Sequence, residues 1–187
     1  MNALWKKGIL GTLILAVVMA AGLAQAKSLD AGTVYLEPKA GFYGNSNHNV
    51  SSVFTYGGEV GFFAIPDLSI GAEVLGYSIE QKKSGSTQTN ANTIGGVGAS
   101  AILRYYFVDA QPVSLFGGIG LGALFADQKI PHNGSDTLFS QLAEVGLNVF
   151  VADPVSLQLA GRWQHFGDYS DKGLDNWGGN LAIKFVF

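Results

Sequence analysis

Between Gly161 and Gly179 the chain reads GRWQHFGDYSDKGLDNWGG. His165 ends an alternating apolar run, and Asp168, Ser170, Asp171 and Asp175 follow it within ten residues. These are the residue types of nucleophilic acyl transfer, in which a carboxylate orients an imidazole, the imidazole takes a hydroxyl proton, and the oxygen attacks a carbonyl. The same acids are also ordinary hairpin-tip residues. Together they would suit a divalent cation, although their spacing is not that of a calcium-binding loop. The elements that carry this hairpin must decide between these roles.

A chain of 187 residues has room for one domain. Lys6 and Lys7 precede an apolar run from Gly8 to Leu23, and Ala24-Gln25-Ala26 puts small residues at the −3 and −1 positions. Residues 1–26 are therefore expected to be a secretory signal cleaved before Lys27, leaving 27–187 as the domain. The absence of cysteine excludes a disulfide framework and a lipid-modified N-terminal cysteine. A net charge of −3 with no basic patch argues against nucleic acid. Only 13% of residues are charged and 26 are glycine, so a water-soluble surface would be hard to build. After residue 26 no apolar run approaches the ~18 residues of a spanning helix. High apolarity without such a helix leaves the closed β-barrel, which alone satisfies its backbone polar groups strand to strand within lipid.

The domain divides into eight alternating segments: Thr33–Tyr43, Val53–Ala64, Ser69–Glu80, Ile94–Phe107, Val113–Ala126, Leu138–Val151, Val155–Phe166 and Trp177–Phe187. Tight connections at Pro66-Asp67, Val108–Pro112 and Asp153-Pro154 alternate with longer polar ones. The pattern predicts an all-β fold: an eight-stranded antiparallel transmembrane barrel in a bacterial outer membrane, with short periplasmic turns and long extracellular loops. Parity supports this. Glu37, Lys39, Glu59, Glu73, Arg104, Glu144, Arg162 and Lys184 each oppose the apolar residues of their own strand. Four acids and four bases inside a lumen this narrow suit internal pairing rather than a pore. The glycine-rich GGIGLG, Gly117–Gly122, lies within a strand and lacks a following helix; close packing explains it better than phosphate binding. Continuing the count along the seventh strand places His165 on the lipid-facing wall at the extracellular end, with Trp163 and Trp177 in the interfacial girdle.

On these residues the chain resembles the lipid A 3-O-deacylases, eight-stranded outer-membrane barrels with catalytic residues on the lipid-facing wall. RWQHF resembles their histidine lead-in, and GLD resembles their Gly-Ile-Glu stretch. The resemblance implies His165 as general base, Asp175 as the acid that orients it, and the 3-linked acyl ester of lipid A as substrate. It also implies a carboxylic ester hydrolase that needs no cofactor or metal. Where those enzymes carry their serine, two residues after the histidine, this chain has Gly167; where they carry an asparagine it has Asp168, whose carboxylate cannot donate a hydrogen bond. Ser170 is the remaining nucleophile in the hairpin. The expected partners are lipid A of the outer leaflet and, through the terminal Phe187, the barrel-assembly machinery. The alternative is a non-enzymatic small barrel acting in adhesion, envelope integrity or lipopolysaccharide binding.

Overall fold

The computed structural model describes residues 29–45, 50–81, 92–110, 112–130, 135–167 and 173–187. The expected signal segment and Ser170 lie outside them. Eight strands run β1 (Val34–Asn45), β2 (Val50–Ile65), β3 (Leu68–Gln81), β4 (Asn92–Ala110), β5 (Val113–Ile130), β6 (Ser135–Ala152), β7 (Val155–Gly167) and β8 (Leu174–Val186). Each pairs antiparallel with the next, and β1 pairs with β8 to close the barrel. Closure leaves no unpaired edge strand, as crossing a membrane requires.

Alternation puts every second side chain outside. Leu36 and Phe42 on β1, and Trp177 and Leu181 on β8, are 49 to 64% exposed. In water such a wall would be an aggregation surface; against acyl chains it is the required one. Phe62, Tyr105, Phe107 and Phe187 ring the end with tight turns, and Phe42, Phe125, Phe139 and Trp177 ring the other.

Most strands run beyond their predicted ends. Asp127–Ile130 and Ser135–Thr137, expected as loop, belong to β5 and β6, and Leu174–Asn176 opens β8. Hairpin pairing continues past the apolar band because backbone hydrogen bonds do not depend on side-chain polarity. Alternation of apolar residues, the only sequence signal, ends with the bilayer.

The interior holds an ionic network between two apolar layers. Tyr35, Phe63, Tyr106, Phe116 and Phe150 fill the end with tight turns. Tyr43, Val53, Leu75, Tyr77, Leu124 and Phe166 fill the opposite end. Inward parity therefore carries aromatics as well as the predicted charges. Between these layers Glu37, Glu59 and Glu73 stand side by side on β1, β2 and β3. Such a row of like charges is tolerable only with cations reaching it from elsewhere in the barrel. Arg104 grips Glu59 with two hydrogen bonds, 2.6 and 2.7 Å, and Arg162 grips Glu73 with two of 2.9 Å. Glu144 bridges both guanidiniums through their Nε atoms. Lys39 lies 2.9, 2.6 and 3.0 Å from Glu37, Glu59 and Glu73, and Lys184 lies 3.1 Å from Glu37. All eight predicted interior charges are buried. Gly118 makes room for them: a Cβ there would meet Arg104 Cγ at 3.0 Å and Glu144 Cγ at 3.1 Å. Among the described residues the two apolar layers and the ionic network between them fill the lumen.

Candidate functional site

The described residues nominated from sequence face the outer wall. β7 alternates strictly, so Arg162, Gln164 and Phe166 point inward while Gly161, Trp163 and His165 point outward. Register pairs His165 with Asp175 and Trp163 with Trp177 across β7 and β8. His165 and Asp175, nominated from sequence, are thus neighbours on the lipid-facing wall at one end of the barrel. Nδ1 of His165 lies 2.9 Å from Asp175 Oδ1. With Nδ1–H donating to the carboxylate, the neutral ring keeps its lone pair on Nε2, the tautomer a general base needs.

Two further residues hold this pair, and sequence reasoning missed both roles. Trp163 Nε1 donates to the same Asp175 oxygen at 3.1 Å, and its ring stacks on His165 with centroids 6.1 Å apart. Sequence position made Trp163 a girdle residue; the register makes it the carboxylate's second donor. Gly173 is the other. A Cβ on Gly173 would collide with His165 Cε1 and stand 2.7 Å from Nε2, while one on Gly167 would stand 3.1 Å from Nε2. Nε2 therefore lies between the two glycines that flank residues 168–172.

A third omission is Gln141. It faces Leu121 on β5 and His165 on β7, so Gln141, His165 and Asp175 form one polar row across β6, β7 and β8. The side chain is exposed on the outer wall, and no hydrogen bond holds it among the described residues. Its parity matches Phe139 and Val145 and opposes Glu144, so the rule that sorted the charges also marks it as outward. Ser170, the candidate nucleophile, cannot be related to this geometry because it lies outside the described residues, as do Asp168 and Asp171.

The sequence matches the family described as Outer membrane protein beta-barrel domain over residues 13–185. The chain belongs to that family. It is an outer-membrane protein, and the short turns of such barrels face the periplasm. The Gln141–His165–Asp175 row, at the other end of the strands, therefore lies at the extracellular rim. No curated protein sequence matches the chain. Among solved structures, neisserial surface protein A superposes with a TM-score of 0.64 at 19% identity, covering 83% of this chain and 99% of that one. OprG from Pseudomonas aeruginosa gives 0.62 at 11% identity, covering 88% and 99%. The N-terminal β-barrel domain of Pseudomonas aeruginosa OprF gives 0.58 at 16%, covering 84% and 98%. At these identities the likeness is one of fold.

Gly173→Ala is expected to push the His165 ring off Asp175 while the barrel stays folded, because the atoms displaced belong to a side chain at the rim. The check is nuclear magnetic resonance of the ring protons, since the chain has three histidines and only His165 stacks on Trp163 among the described residues. Its ring protons should lose the shift that the indole current imposes. An unchanged spectrum would mean the ring does not rest on Gly173.

Proposed function

We propose that this outer-membrane barrel hydrolyses the 3-linked acyl ester of lipid A in the outer leaflet. The reading is carried by the His165–Asp175 contact of 2.9 Å on the lipid-facing wall at the extracellular rim. A packed lumen turns attention to that wall, where the pair stands at headgroup depth beside the outer-leaflet lipid. His165 is the general base and Asp175 orients it. Ser170 is the nucleophile; in sequence it falls between Gly167 and Gly173, the two glycines beside His165 Nε2.

In the reaction His165 Nε2 takes the hydroxyl proton as Ser170 Oγ bonds to the acyl carbonyl carbon. The tetrahedral intermediate collapses by breaking the bond to the sugar oxygen, which leaves with the proton from His165. Water, deprotonated by the same nitrogen, then releases the fatty acid from Ser170. The test is mass spectrometry of lipid A from cells expressing the protein or its His165→Ala variant. Wild-type cells should lose the 3-linked acyl chain and variant cells should keep it. Intact lipid A with both proteins, each confirmed folded in the outer membrane, would overturn the reading.

One observation favours a second reading, a non-enzymatic barrel that binds lipopolysaccharide. Gly167 stands where the deacylases carry serine. The wall would then present Gln141, His165 and Asp175 to lipid headgroups without cutting them.

A further inference from the structure

Asn180 of β8 faces the lumen and is 3% exposed, and among the described residues neither its amide nitrogen nor its oxygen has a hydrogen-bond partner. Burying an amide in that state is costly. Its neighbours are small. Register sets Ala160 of β7 and Gly41 of β1 on either side of it, and Gly178 and Ala182 are the next inward residues along β8. A second polar group reaches the same place. A Cβ on Gly178 would stand 2.7 Å from Tyr43 Cδ1, and one on Gly41 would stand 2.9 Å from the Tyr43 hydroxyl oxygen and 2.8 Å from Thr55 Oγ1. The Tyr43 ring therefore lies across both glycines, with its hydroxyl over the residue beside Asn180. That hydroxyl is also buried and without a partner among the described residues. Neighbouring buried polar groups that do not bond one another directly are the setting of a bridging water.

We propose that Asn180 and Tyr43 form a binding site for an ordered water molecule inside the barrel, which ties β8 to β1. The carboxamide offers both donors and an acceptor and the hydroxyl offers either, so water answers both groups whichever way the amide is turned. An ion would not suit the site. The neighbouring network is already balanced, four buried acids against four buried bases, and an added charge would stand unpaired in the interior. An apolar occupant would leave the amide as costly as before. The tie falls close to a gap in the closing seam. β1 pairs with β8 at Leu36 and again at Lys39, but not at Glu37 or Pro38 between them, and Pro38 has no N–H to donate. A bridge from Tyr43 to Asn180 adds a link between the two strands just beyond that gap. The site is independent of the chemistry on the outer wall.

The experiment is a crystal structure of the wild-type barrel at a resolution that places ordered waters, joined to a double-mutant cycle of urea unfolding in detergent. The density should show a water within hydrogen-bond distance of both the Asn180 carboxamide and the Tyr43 hydroxyl. Tyr43→Phe and Asn180→Leu each remove one side of the bridge and strand the other, whereas the double variant removes both. Their effects should therefore fall short of additivity by at least about five-fold in the unfolding equilibrium constant, the scale of one buried hydrogen bond. Heat-modifiable electrophoretic mobility confirms that each barrel is folded. Additive losses would mean that no bridge couples the two residues. A direct hydrogen bond between the two side chains, or no density between them, would overturn the proposal whatever the variants do.

Discussion

Replacing Arg104 with methionine is expected to lower the barrel's unfolding free energy by about 3–5 kcal/mol, the usual cost of removing one partner from a buried ion pair. Methionine approximates the arginine stem, so the loss is that of the guanidinium, its ion pairs together with its stacking over Phe116 at 5.4 Å from the ring centroid. Arg104 holds both oxygens of Glu59 and one of Glu144. Without it four buried carboxylates share three cations, and among the described residues Glu59 keeps only Lys39 and the Tyr35 hydroxyl. The remedy is to remove the stranded acid as well. Arg104→Met with Glu59→Gln should recover most of the loss, because the interior is again balanced, with three acids and three bases among the residues that form the network. A double-mutant cycle of urea unfolding in detergent measures both effects. A single-variant loss below about 1 kcal/mol would mean the network is hydrated rather than packed.

How far this was legible before folding depends on what each residue's alternatives were. Lipid on one side makes a charged residue's orientation nearly obligatory, so Glu59, Arg104 and Glu144 fixed the phase of their strands directly. Tyr35, Phe63 and Phe116 carry no such constraint, since an aromatic ring is equally at home in lipid or in a filled lumen. Their inward position follows only from phase set by a charge elsewhere in the strand. His165 and Asp175 were each placed on the outer wall by counting along their own strands. Their contact needed the cross-strand register, which a one-residue slip would have destroyed by turning one of them into the lumen. Gln141 obeyed the same parity but was passed over, because a neutral amide carries none of the penalty that drew attention to the charges. Strand ends were the least legible feature: Gln128 and Lys129 continue β5 in a region where neither face meets lipid and side-chain pattern carries no information.

On the proposed deacylase reading, His165→Ala is expected to reduce lipid A deacylation by about 10²–10⁴-fold, the contribution of a positioned general base. The variant loses the proton acceptor without touching the buried core, so the folded barrel should be recovered in full amount. Asp175→Asn is the more searching partner. The amide preserves size but replaces the anion that fixes the imidazole tautomer, and a large rate loss there with intact folding would separate catalysis from girdle anchoring. The nucleophile can be tested by moving it. Ser170→Ala should abolish turnover, and adding Gly167→Ser should restore part of it, because a Cβ at 167 stands 3.1 Å from His165 Nε2 and its hydroxyl would lie within reach after a shift of a few tenths of an ångström. Mass spectrometry of lipid A reads all five variants, Gly167→Ser alone included. Activity in Gly167→Ser alone, with none in the wild type, would identify a barrel whose base and acid persist without a working serine. Undiminished turnover in Ser170→Ala would place the attacking group elsewhere, with a water molecule activated by His165 as the simplest replacement.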